Sequence, residues 1–78
     1  MPTRLTVFGR PGCHLCDDAR AVLDRVGEPY AVVDIERDDA LLVRYLERIP
    51  VVTLDGEELF EFFVDEDALR ARLRSEPA

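Results

Sequence analysis

The chain has 78 residues, 47% of them hydrophobic and 35% charged, with a formal net charge of −7. That size suits a single domain over residues 1–78, and the composition excludes a disordered or low-complexity chain. The acidic balance excludes nucleic acid as a partner, because phosphate binding needs clustered cations and the ten here, all arginine, are scattered among acids.

The apolar runs are too short for a membrane span. The opening MPTRLTVFG lacks the long apolar region and small-residue exit of a cleavable signal. A cytoplasmic compartment is therefore expected, where structural disulfides are uncommon.

In chain order, Leu5 to Phe8 is a nearly unbroken apolar run that reads as a strand buried on both faces. Gly9-Arg10-Pro11-Gly12 stops it with turn-forming residues. Leu15, Ala19, Val22, Leu23 and Val26 then follow one helical face, which predicts a helix over 14–26 with Gly27 as its C-terminal cap. Glu28-Pro29 breaks the chain, and Tyr30 to Glu36 reads as a second strand. Asp38 and Asp39 suit the start of a short helix whose inner face is Leu41, Leu42, Tyr45 and Leu46. A hairpin follows, with Val51 to Leu54 and Leu59 to Phe63 as strands around the tight-turn pair Asp55-Gly56. Asp65, Glu66 and Asp67 open a last helix that Arg70, Arg72 and Arg74 close, the sense that complements its dipole. The order is β-α-β-α-β-β-α. A parallel pair with a right-handed crossover, extended by an antiparallel hairpin, makes a four-stranded mixed sheet covered by helices, an α/β sandwich.

The two cysteines of the chain, Cys13 and Cys16, stand three residues apart behind a Pro-Gly turn and at the start of the first helix. Cysteine reacts as the thiolate, and a helix N-terminus offers unpaired N–H groups and partial positive charge that stabilise an anion. Cys13 sits where that effect is greatest. Cys16 lies one turn along, on the apolar side with Ala19 and Leu23. Cys13 is therefore expected to be the exposed nucleophile and Cys16 the shielded thiol that resolves the mixed disulfide. Arg10 and His14 add positive charge beside Cys13, while Asp17 and Asp18 oppose it. Pro11-Gly12 keeps the approach narrow and free of bulky side chains, so that another sulfur reaches Cys13.

Plainer readings compete. The cysteines are core residues in one, and His14 is a solvated loop-to-helix residue in another. An intrachain zinc site needs four ligands, and the chain has one histidine and no second cysteine pair. An iron–sulfur cluster or metal held by Cys13 and Cys16 between two chains stays open. Pro50, in RIPVV (residues 48 to 52), is by itself an ordinary residue for the start of a strand.

With both motifs in view, the whole sequence resembles the thioredoxin superfamily, most closely the small glutaredoxin-like proteins of bacteria. TVFGRPGCHLC, VVDIERD and IPVVTLDG carry the resemblance. It implies a thioredoxin-like fold in which Pro50 is cis and faces the dithiol, and Ile49 offers backbone groups to a bound thiol partner. Arg10 falls three residues before the first cysteine, where glutaredoxins usually carry a lysine. Two departures bear on glutathione. Leu15 stands where an aromatic residue is common, and Phe62-Phe63-Val64-Asp65 occupies the region of a Gly-Gly pair.

The expected protein is a glutaredoxin-like protein disulfide reductase, a monomeric electron carrier without cofactor or metal. Its expected partners are protein disulfides or thiols, with a thioredoxin-reductase-type donor or glutathione supplying electrons. The alternative is an iron–sulfur or metal binding module.

Overall fold

A computed structural model describes residues 3–75. Its elements run β1 (Leu5–Gly9), α1 (His14–Val26), β2 (Tyr30–Asp34), α2 (Asp39–Tyr45), β3 (Val51–Leu54), β4 (Glu57–Glu61) and α3 (Glu66–Ser75), with a short 3-10 turn at Ile35–Arg37. The strands form one sheet in the order β2-β1-β3-β4. β1 and β2 are parallel, and the two remaining pairings are antiparallel. The expected element order is therefore the observed one. Among the described residues no helix is long and apolar enough to cross a membrane.

Register divides the central strands between two apolar layers. Leu5 lies opposite Leu54 and Val7 opposite Val52, so all four side chains share one face. There they pack with Leu23 of α1 and Leu69 of α3. Phe8 lies opposite Val51 on the other face. It stacks on Tyr45 of α2 with ring centroids 4.7 Å apart. Tyr45, Ile35, Ile49, Val51 and Cys16 make the second buried cluster. The sheet is thus covered on both faces, and the second cluster ends at the dithiol.

Local chemistry sets several boundaries. Gly27 ends α1 in the left-handed conformation, φ 86°, and its N–H donates to the Leu23 carbonyl. The second strand stops two residues before its expected end at Glu36, because the Asp34 carboxylate accepts the Glu36 N–H and turns the chain. Asp38 is the N-cap of α2, accepting from the N–H groups of Ala40 and Leu41, with Asp39 as the first helical residue. Leu46, expected on the inner face of α2, lies beyond its last helical residue and is 42% exposed.

The hairpin also differs from expectation. β4 begins at Glu57, directly after the Asp55-Gly56 turn, and ends at Glu61 rather than Phe63. A register shift between Val52 and Thr53 leaves Leu59 as an extra residue, since Val52 faces Phe60 and Thr53 faces Glu58. Leu59 and Phe60 can then both pack on the first cluster. Glu58 and Glu61 are left to meet Arg48.

Candidate functional site

β1 ends on Gly9, and its lack of a side chain is what lets α1 begin where it does. A Cβ built there falls 2.7 Å from Cys16 Sγ and 3.3 Å from Cys16 Cβ. Gly9 therefore permits a close approach of strand to helix. Sequence reasoning took it for part of the turn; the signal available was a glycine abutting an apolar strand with a cysteine seven residues on. Gly12 has a different role. Its φ is +79° and a Cβ there meets nothing within 4 Å, so the constraint is conformational rather than spatial.

This turn delivers Cys13 to the N-cap of α1 in extended backbone, φ −93° and ψ 115°. Its Sγ accepts the N–H of Cys16 at 3.2 Å. Sulfur here occupies the place that serine or aspartate oxygen usually fills, and an ionised sulfur accepts more strongly than a neutral one. Both cysteines are free thiols, Cys13 half-buried and Cys16 buried. Burial first, and then the hydrogen bond with Cys13, push the Cys16 thiol from 9.0 up to about 11, against an opposing backbone hydrogen bond from Arg10. The two thiols thus sit in unlike surroundings, one at a polar helix end and one in apolar packing.

Ile49 and Val51 belong to the cluster that contains Cys16, and Cys13 packs against it. Between them Pro50 is buried and the Ile49–Pro50 bond is cis, as the resemblance implies. The loop is tied down from β4. The Arg48 guanidinium binds Glu58 and also Glu61, with Nε 2.7 Å from Glu61 Oε2. These contacts hold the Glu58 carboxyl below its ordinary range, the hydrogen bond from Arg48 being the main cause. The Phe62 N–H donates to the Pro50 carbonyl at 2.9 Å.

The other expected residues are placed less centrally. Arg10 is exposed, with Nη1 3.9 Å from Glu36 Oε2. Pro11 is exposed on the turn, and His14, the first residue of α1, is exposed, its side chain making no ion pair or hydrogen bond among the described residues. Arg10, Pro11 and Gly12 nevertheless line, with Cys16, Val32 and Asp34, a cavity of about 310 Å³ on the side of the edge strand β2. Among the described residues no three His, Cys, Asp or Glu side chains converge on a metal-sized site.

A four-stranded mixed sheet with this helix order, a C-x-x-C pair at the first helix and a cis proline before the third strand define a thioredoxin-like fold with a dithiol site. The model of the glutaredoxin-like domain family (DUF836) matches residues 4–74, and the chain belongs to that family. A crystal structure of the protein XcR50 from X. campestris is 37% identical with a TM-score of 0.79, over 94% of this chain and 99% of that one. The solution structure of Ne2328 from Nitrosomonas europaea is 32% identical with a TM-score of 0.76, over 92% of each chain. The glutaredoxin-like NrdH-redoxin from Escherichia coli, described as having a thioredoxin-like activity profile, shares the fold at 22% identity, with a TM-score of 0.66 over 96% of this chain and 97% of that one. No protein of curated function matches the sequence.

Proposed function

We propose that this chain is a thiol–disulfide oxidoreductase that acts on protein disulfides, with Cys13 as nucleophile and Cys16 as resolving thiol. The observation that carries the reading is the unlike placement of two thiols one helical turn apart, Cys13 half-buried at a helix N-terminus and Cys16 in the core.

The Cys13 thiolate attacks one sulfur of a partner disulfide, forming a mixed disulfide and releasing the first partner thiolate, which takes a proton from water. Cys16 then loses its proton and attacks the Cys13 sulfur. The Cys13–Cys16 disulfide forms, the bond to the partner breaks, and the second partner thiol leaves. Two electrons have passed from the dithiol to the partner. Before this second step Cys16 keeps its proton at neutral pH, because burial holds its thiol up at about 11. Attack by the wrong sulfur is thereby suppressed. Ile49 and Pro50 supply the wall beside the reacting sulfurs, and Pro11-Gly12 leaves the approach open. Arg10 contributes positive charge at the rim, and His14 adds an exposed imidazole there.

The protein works as a monomer of one domain in the cytoplasm. The resemblance puts the turn of Phe62, Phe63 and Val64 in the region of a Gly-Gly pair that glutathione would approach, and the exposed Phe63 ring there favours a thioredoxin-reductase-type donor. No observation favours the shared iron–sulfur or metal reading.

The test uses the two single variants. Cys16→Ser should accumulate a mixed disulfide with a thiol partner, and Cys13→Ser should be inactive. Activity retained in Cys13→Ser would refute the assignment.

A further inference from the structure

The chain leaves β4 through a turn that a phenylalanine is poorly suited to make. Phe62 has φ +64°, a left-handed backbone that side chains rarely adopt and that bulky ones adopt least. Two backbone hydrogen bonds fix it there. The Phe62 N–H reaches the Pro50 carbonyl at 2.9 Å, and the Phe63 N–H closes a three-residue turn onto the Glu61 carbonyl at 2.6 Å. A glycine would make this turn without strain.

Nothing within the chain offsets the strain by deep burial. Phe62 remains 42% exposed and Phe63 72% exposed. The Phe62 backbone is bonded to Pro50, whose chain neighbours Ile49 and Val51 pack with Cys16 in the cluster that Cys13 also touches. Strain held at a functional site, with apolar surface left in water, points to a surface completed by a partner.

The charge around the rings indicates which kind. Glu61 precedes them, and Asp65, Glu66 and Asp67 follow. Glu61 is paired with Arg48, and Glu66 with Arg25 and Arg70. Asp65 accepts the Ala68 N–H, and Asp67 has no cationic partner among the described residues. On a chain of net charge −7, this surface attracts a cationic partner and repels a second copy of itself.

We propose that the Phe62–Phe63 turn is a docking ledge for a protein substrate, taking an apolar side chain from a positively charged segment that flanks the disulfide. The proposal rests on the oxidoreductase reading and adds the partner's chemistry to it. The exchange step is unchanged, so the ledge governs which disulfide is presented to Cys13.

The test uses three synthetic disulfide peptides with one common loop, flanked by Leu and two Arg, by Ser and two Arg, or by Leu and two Glu, with hydroxyethyl disulfide as a small reference substrate. The reduced protein should favour the Leu/Arg peptide over each of the others by about tenfold, the scale of a well-placed contact. High salt should remove the preference for Arg over Glu. Phe63→Ser should abolish the preference for Leu over Ser, read as the ratio of peptide to hydroxyethyl disulfide rates. Phe62→Gly should lower the same ratio yet melt no earlier than the wild type, because relief of the turn outweighs the added freedom of the unfolded chain. An unchanged ratio in Phe63→Ser, or a lower melting temperature in Phe62→Gly, overturns the proposal. A wild type that reduces none of the four substrates overturns the oxidoreductase reading itself, a different result from equal rates on all peptides, which sinks only the ledge.

Discussion

Replacing Gly9 with alanine should damage the dithiol without touching either cysteine. The new Cβ falls 2.7 Å from Cys16 Sγ. Non-bonded carbon contacts settle at roughly 3.5–4.0 Å, so the overlap is on the order of an ångström. The sulfur can escape only by rotating about its own Cα–Cβ bond. Its neighbours Ile35, Ile49 and Val51 are 0–8% exposed, so the cluster has little slack. Overpacking of this kind costs about 1–3 kcal/mol. The alanine also restricts the unfolded chain, which returns about 0.4–1 kcal/mol. The net loss is then about 1–2 kcal/mol, a fall in melting temperature of roughly 5–15 °C for a chain of this size.

A double-mutant cycle locates the cause. Cys16→Ala removes the sulfur and leaves only the contact with Cβ at 3.3 Å, which is tight but tolerable. Gly9→Ala should therefore cost much less in that background, with a coupling of about 1–2 kcal/mol measured by thermal or urea denaturation. In the otherwise native protein the displaced Cys16 should close on Cys13 more slowly, so a mixed disulfide with a thiol partner should persist longer in quenched samples. Equal losses from Gly9→Ala in the two backgrounds would refute the steric account.

Three further outcomes are expected. Turnover in a glutathione-coupled hydroxyethyl disulfide assay should fall well below that of a glutaredoxin at equal concentration, because the resemblance puts Phe62-Phe63-Val64-Asp65 in the region of a Gly-Gly pair and Phe63 is 72% exposed there; comparable turnover would contradict this. Gly12→Ala should cost about 1 kcal/mol through strain at positive φ alone, and Gly12→Asn should cost less, since asparagine tolerates that region; equal stability of Gly12→Ala and wild type would remove the conformational argument. The reduced protein should lose stability in alkali, because the folded Cys16 thiol titrates at about 11 against 9.0 when unperturbed. Below pH 9 both states hold the proton and the contribution is full; between the two values the unfolded chain deprotonates first, and stability falls by at most about 2–3 kcal/mol. Cys16→Ala should flatten that part of the curve, and an identical alkaline loss in the variant would show that another group is responsible.

The sequence made α1 legible to the residue because three independent signals agreed there: a turn before it, one apolar face along it and Gly27 after it. The β3 strand and the Asp55-Gly56 turn were equally plain for similar reasons. What escaped depends on contacts between segments far apart in the chain. Nothing near Leu59 announces that it is an extra residue in its ladder, since register is decided by what Val52 and Thr53 present from the opposite strand. The end of β2 was missed because the Asp34 side chain competes for a backbone N–H that a strand reading assigns to the sheet. At the site, the placement of Cys13 and Cys16 was readable from the turn and the helix face, whereas the cis form of Pro50 came only with the resemblance, since a proline at a strand start is ordinary by itself. Gly9 and the Arg48 clamp were not, because a buried glycine and a surface arginine look like many others until the packing is known.

The thiols differ because the peptide backbone treats positions three apart at a helix start in opposite ways. An N-cap side chain turns back toward the free N–H groups, so Cys13 Sγ meets the amide of Cys16. A side chain one turn further falls on the inner face, so Cys16 Sγ meets Gly9 and the apolar cluster. In the proposed exchange the same residue would therefore serve the site twice, giving its N–H to Cys13 and its buried sulfur to the second step. That coupling explains why the surrounding sequence is so plain. A glycine that makes room, a glycine that turns the chain and a helix that starts on time are enough to set one cysteine at a polar helix end and the other in apolar packing. The Phe62–Phe63 turn, bonded to Pro50 through the Phe62 N–H, is where the proposed partner would meet that arrangement.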